Sequence, residues 1–119
     1  MKRVLYIEDN VDTAEAVKIL LGNAGFEVEV EHCGKDGMFR MQREKFDAVL
    51  IDIMLPDMSG WDIYESIRGK FPETKYSFLS AIPVSKERLE ELKNEGVSDY
   101  ITKPFKKEDL INRVKKMVA

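Results

Sequence analysis

Three carboxylic acids, one lysine and one serine carry the chemistry available to this sequence. Glu8 and Asp9 follow the apolar run Val4-Leu5-Tyr6-Ile7, and Asp52 follows Ala48-Val49-Leu50-Ile51. Ser80 and the small Ala81 follow Tyr76-Ser77-Phe78-Leu79, and Lys103 follows Tyr100-Ile101-Thr102. Carboxylates brought close together repel one another unless a cation sits among them or some hold protons. Oxygen donors with no histidine or cysteine beside them suit a hard cation, Mg²⁺ with Mn²⁺ as a substitute, rather than zinc or copper. Lys103 adds a second positive centre and Ser80 a hydroxyl. An acid nucleophile, a hard cation, a lysine and a hydroxyl together match a transferring phosphoryl group, whose three equatorial oxygens need such partners. A carboxylate can take that group covalently.

These residues meet only if the runs before them end on one edge of one sheet. The sequence reads as strands alternating with amphipathic helices. Val4 to Ile7 is apolar throughout, the mark of a strand buried on both faces. Asp12 reads as an N-cap, and Ala14, Val17, Leu20, Leu21 and Ala24 recur at helical spacing up to Gly25. Phe26, Val28 and Val30 alternate with Glu27, Glu29 and Glu31, which predicts a strand with one wet face at a sheet edge. A helix over about Lys35 to Arg43 precedes the buried strand Ala48–Ile51. The loop Asp52 to Gly60, with Asp57 read as a solvated turn residue, leads to a helix over about Trp61 to Arg68. Tyr76–Leu79 is a strand, Ser85 caps a helix ending at Gly96, and Tyr100–Thr102 is the last strand, broken by Pro104. A final helix carries Leu110, Ile111, Val114 and Met117 on one face. Five βα units predict an α/β fold, a doubly wound five-stranded parallel sheet with helices on both faces. The edge-like second strand fits the order 2-1-3-4-5. The first and third strands then flank the switch point where sites form beyond the strands' carboxyl ends.

Bulk properties agree with one compact unit over residues 1–119. The chain is 44% hydrophobic and 34% charged, with both signs mixed, which is unlike a disordered segment. A net charge of −3 gives no electrostatic case for binding nucleic acid or an anionic membrane. Cys33 is the only cysteine, so neither an intrachain disulfide nor a thiolate metal cluster can form, and a cytoplasmic setting is expected. The apolar stretch before Glu8 is too short for a signal peptide, and no run approaches a membrane span. His32 reads as a surface residue, and the methionines as core fillers.

Glu8-Asp9, Asp52-Ile53-Met54-Leu55-Pro56-Asp57-Met58-Ser59-Gly60, Ser80-Ala81 and Lys103-Pro104-Phe105, in that order and spacing, resemble the signature of response-regulator receiver domains. These are the flavodoxin-like, CheY-like domains of two-component signalling. The resemblance covers the whole chain. It implies that Asp52 is the phosphoacceptor, and that Asp9, Glu8 (partly through water), Asp52 and the Met54 backbone carbonyl hold Mg²⁺. It implies that Ser80 and Lys103 bind the phosphoryl oxygens, and that the Lys103–Pro104 peptide is cis. Tyr100 falls at the aromatic switch position, whose ring packs inward when Ser80 moves toward the phosphoryl group. The sequence has Glu-Asp where Asp-Asp also occurs, and Ser80 where Thr is commoner; both changes are conservative.

The implied activity is that of a phosphorylation-dependent switch in a phosphorelay rather than an enzyme acting on a separate substrate. It catalyses its own phosphorylation and dephosphorylation. The implied partners are a sensor histidine kinase or a histidine phosphotransfer protein upstream, and a downstream protein target or an effector domain absent from this chain. If the chain is complete, output falls to the face made by the fourth helix, fifth strand and fifth helix; if it is excised from a longer protein, the output is DNA binding or an enzyme activity of the missing part. Two other classes fit less well. A haloacid-dehalogenase-type phosphohydrolase resembles Asp-x-Asp directly after its first strand, whereas this chain has Glu8-Asp9-Asn10-Val11-Asp12 and no cap domain. A flavodoxin needs a phosphate loop that is not acidic, and a degenerate receiver would lack Asp52 or Lys103.

Overall fold

A computed structural model describes residues 1–119. The elements are β1 (Arg3–Ile7), α1 (Val11–Asn23), β2 (Glu27–Glu31), α2 (Gly34–Arg43), β3 (Ala48–Ile51), α3 (Gly60–Ile67), β4 (Lys75–Ser80), α4 (Lys86–Glu95), β5 (Asp99–Thr102) and α5 (Lys107–Met117). All neighbouring strands are parallel, in the order β2-β1-β3-β4-β5. The expected doubly wound α/β fold is therefore the observed one.

Alternation along the strands divides the core in two. Leu5, Ile7, Val49, Ile51, Phe78 and Tyr100 face α2, α3 and α4. Val4, Tyr6, Leu50, Leu79 and Ile101 face α1 and α5, where Val17, Leu21, Leu110 and Val114 meet them. β1 and β3, apolar on both faces, are the strands that both layers cover.

Two local expectations are corrected. The N-cap of α1 is Asn10, whose side-chain oxygen accepts the Thr13 N–H at 2.9 Å; Asp12 lies in the first helical turn. Both residue types can cap, and the choice fell to Asn10 because the helix starts at Val11, only four residues beyond the end of β1. Asp12 still favours that end by its charge near the helix N-terminus. The second correction concerns β2. It is an edge strand as expected, but its acids are not simply wet. Arg40 of α2 reaches Glu29 at 2.8 Å and Glu31 at 3.0 Å, and Arg3 of β1 pairs with Glu27. Glu44 bonds both arginines. The carboxylates of β2 are thus strapped to neighbouring elements, which also guards the edge. Elsewhere the reading holds: Ser85 caps α4 through the Arg88 N–H at 3.1 Å, and Gly96 ends it with φ of 113°.

Candidate functional site

Strand pairing one residue beyond the regular elements positions the site. The Asp52 N–H donates to the Ile7 carbonyl at 3.0 Å, and the Glu8 N–H donates to the Glu31 carbonyl at 2.9 Å. These rungs fix Asp52 and Glu8 side by side at the carboxyl edge. The Lys103 N–H donates to the Ser80 carbonyl at 2.8 Å and does the same for β4 and β5. The Lys103–Pro104 peptide is cis.

Carboxylate oxygens of Glu8, Asp9 and Asp52 all lie within 4.8 Å of one another. Glu8 is 1% exposed and Asp52 6%, while Asp9 is exposed. Lys103 Nζ stands 3.1 Å from Asp52 Oδ2 and also donates to Glu8 Oε1. Burial disfavours the Lys103 ammonium, but its bonds to Glu8 and Asp52 outweigh that and raise its pKa above the ordinary lysine value. Burial pushes the Asp52 carboxyl up; Glu8 adds to this and Lys103 opposes it. Three clustered carboxylates, with oxygen as the only donor atom, fit a hard cation such as Mg²⁺.

The loop after β3 closes over this edge. The Met54 N–H donates to Asp52 Oδ1 at 3.2 Å, Met54 pairs with Ser59 in an isolated antiparallel bridge, and the Gly60 N–H donates to the Ile53 carbonyl at 2.8 Å. Ser80 is buried at the end of β4, and its Oγ accepts the Ile82 N–H at 3.2 Å. Tyr100 is buried, and its hydroxyl donates to the Ile82 carbonyl. Ile82 therefore joins Ser80 and Tyr100 through its two backbone groups. The Tyr100 ring packs 5.9 Å from Phe78 and 6.4 Å from Trp61. The structure thus brings Glu8, Asp9, Asp52 and Lys103 into one cluster, with Met54 bonded to Asp52; Ser80 and Tyr100 sit together through Ile82. His32 is exposed, with Nδ1 2.8 Å from the Glu8 carbonyl.

Two contributors were not legible as such. Tyr6 donates its hydroxyl to Glu8 Oε1 at 2.8 Å from inside the core. The period of two, which puts residues 6 and 8 on one face, is the signal that could have found it. Asp57 is not merely a solvated turn. Its carboxylate accepts the N–H of Gly34 at 2.9 Å and of Lys35 at 2.8 Å, and so caps α2, whose own N-cap Cys33 makes no side-chain bond. Burial pushes the Asp57 carboxyl up, but those N–H donors prevail and hold it below the ordinary range. Asp57→Ala is expected to lose about 1 kcal/mol in urea denaturation at neutral pH. Because the folded pKa is depressed, this stabilisation is present above the ordinary carboxylate pKa and disappears as the pH falls through the folded value. A variant as stable as wild type at neutral pH would contradict the cap.

The response regulator receiver domain family model matches residues 4–115. The transcriptional regulatory protein DltR of Streptococcus agalactiae is 36% identical over 113 residues, covering 95% of this chain and 50% of that protein. The chain spans about half the length of the curated relatives it matches. A CheY-like receiver domain from Methanospirillum hungatei has a TM-score of 0.89 at 30% identity, covering 99% of this chain and 94% of that one. The response regulator TrrA from Thermotoga maritima, solved in complex with Mg²⁺ and BeF, has a TM-score of 0.84 at 27% identity, covering 98% and 99%. No helix is long and apolar enough to cross a membrane. With the acid cluster at the carboxyl edge of a 2-1-3-4-5 sheet and a family match over nearly its whole length, the chain belongs to the response-regulator receiver domains of two-component signalling.

Proposed function

We propose that residues 1–119 form one cytoplasmic receiver unit that accepts a phosphoryl group on Asp52 and changes its protein-binding surface in consequence. The observation that carries this reading is the buried Asp52 carboxylate, set between the acids Glu8 and Asp9 and the ammonium of Lys103. An Asp52 oxygen forms the bond to phosphorus as the bond from phosphorus to the donor's imidazole nitrogen breaks. The donor is a histidine kinase or a histidine phosphotransfer protein. Mg²⁺, when bound, would supply positive charge to stabilise the phosphoryl oxygens. Asp9, Glu8, Asp52 and the Met54 carbonyl would hold it. Lys103 neutralises a phosphoryl oxygen and Ser80 donates its hydroxyl to another. Loss of the group to water returns the carboxylate. That TrrA was solved in complex with Mg²⁺ and BeF supports a fold of this kind taking Mg²⁺ together with a phosphoryl-like ligand.

Ser80 and Tyr100 are the proposed switch pair. A shift of Ser80 toward the phosphoryl group would pull on Ile82, and Ile82 also holds the Tyr100 hydroxyl. The change then reaches Trp61 and the face of α4, β5 and α5, through which a downstream protein or an effector domain is engaged. The test is capture of binding proteins with and without Mg²⁺ and beryllium fluoride, with Trp61 fluorescence reporting that the mimic is bound. A captured set that depends on the mimic is expected. An identical set, with the fluorescence response present, would contradict the switch.

A further inference from the structure

Resting on the proposed reading of this site, we infer that Tyr6 is a positioning residue that sets its cation selectivity by holding back Glu8. Tyr6 and Glu8 share one face of β1. The tyrosine is wholly buried among Val4, Leu79, Ile101 and Leu110. Its hydroxyl donates to Glu8 Oε1 at 2.8 Å, and Lys103 donates to the same oxygen. The other oxygen, Oε2, accepts the Asn10 N–H at 3.2 Å. A carboxylate has about four acceptor directions. Three of those on Glu8 are taken by donors of this chain.

The three donors differ in stiffness. The lysine sits on a long flexible stem and can leave Glu8 for another anion. The Asn10 N–H belongs to the loop after β1. The Tyr6 ring is fixed by core packing, so it is the anchor that does not yield. An acid one methylene longer than aspartate could otherwise turn both oxygens toward a cation. Held by Tyr6, it cannot.

This bears on which cation fits. Mg²⁺ is small, keeps much of its water, and is satisfied by one or two carboxylates. Ca²⁺ takes six to eight oxygens in flexible geometry and gains from each freed carboxylate oxygen. A tethered Glu8 therefore favours Mg²⁺, and a released one favours Ca²⁺.

The experiment is calorimetric titration of wild type and Tyr6→Phe with Mg²⁺ and, separately, with Ca²⁺, thermal melting serving as the folding check. The ratio of Ca²⁺ to Mg²⁺ affinity is expected to rise roughly fivefold or more in Tyr6→Phe. A merely structural role of the tyrosine would weaken both ions alike and leave the ratio unmoved. In a Glu8→Asp background, where the acid is too short to need the tether, Tyr6→Phe should leave the ratio unchanged. A second readout uses wild type alone: the buried, hydrogen-bonded hydroxyl proton of Tyr6, followed by NMR, should be protected from exchange and persist at saturating Mg²⁺. An unmoved ratio in a folded Tyr6→Phe, or loss of that proton signal on adding Mg²⁺, overturns the role of Tyr6 while leaving the metal site intact. Wild type that binds no Mg²⁺ overturns the site itself.

Discussion

Lys103→Ala is expected to slow phosphoryl loading of Asp52 by about 100-fold or more while tightening, not weakening, the binding of Mg²⁺. The first effect is the loss of a preorganised cation from the phosphoryl oxygens, and removal of one such group costs on that order. The second follows from where Lys103 sits. Lys103 holds Asp52 at 3.1 Å and also engages Glu8, so it occupies the negative charge that a divalent cation needs. Its removal leaves two buried carboxylates without a cationic partner, holding only neutral donors. Breaking a buried pair in this way costs about 3–5 kcal/mol, and the figure is lower here because the lysine keeps some contact with solvent. The variant should therefore lose stability in metal-free buffer and regain it with Mg²⁺, which binds the folded state. Loading rate by acetyl phosphate, metal affinity by calorimetry and urea denaturation with and without Mg²⁺ check the three parts. Unchanged loading would show that Lys103 does not face the phosphoryl group, and weaker Mg²⁺ binding would show that it does not compete with the cation for the carboxylates.

Gly60→Ala should destabilise the fold by about 2–4 kcal/mol and impair loading at the same time. A Cβ at position 60 would lie 2.4 Å from the Asp52 carbonyl oxygen and 2.8 Å from the Ile53 Cα. Both are backbone atoms of the segment that carries Asp52, so nothing flexible can give way. The start of α3 would have to move off the end of β3 and take Asp52 with it. Helix propensity alone argues the other way, since alanine in a helix is favoured over glycine by about 1 kcal/mol. Gly22 in α1 separates the two effects, because a Cβ there meets nothing within 4 Å. Gly22→Ala should be neutral or stabilising, and Gly60→Ala strongly destabilising, in parallel denaturation curves. Equal behaviour of the two variants would mean that the close approach at Gly60 does not constrain the site.

The fold was legible because strand burial leaves a pattern in the chain. Ala48 to Ile51 reads as a doubly covered strand and is one, with the bounds the sequence suggests. α4 lies between its serine cap and its glycine stop. The acid cluster was legible for a topological reason: parallel strands put all their carboxyl ends on one edge, so residues that follow strands meet there. What was not legible depends on distance in the chain or on a close choice. Asp57 caps a helix that begins 23 residues earlier, and nothing near residue 57 shows that partner. Arg3 and Arg40 strap the acids of β2, which turned an expected wet face into an ion-pair ladder. Asn10 and Asp12 are both good caps, and the path of the chain out of β1 decides between them. The tether from Tyr6 to Glu8 needed the strand's alternation to be applied across the boundary between core and site.

The most direct measurement is intact mass followed by peptide mapping of the chain incubated with acetyl phosphate, with and without Mg²⁺, wild type beside Asp52→Asn. One phosphoryl group per chain, mapped to Asp52, requiring Mg²⁺ and missing from Asp52→Asn, is the expected result. Full labelling of Asp52→Asn at another residue, or labelling of wild type that does not require Mg²⁺, would contradict the assignment of this acid cluster as the phosphoacceptor site.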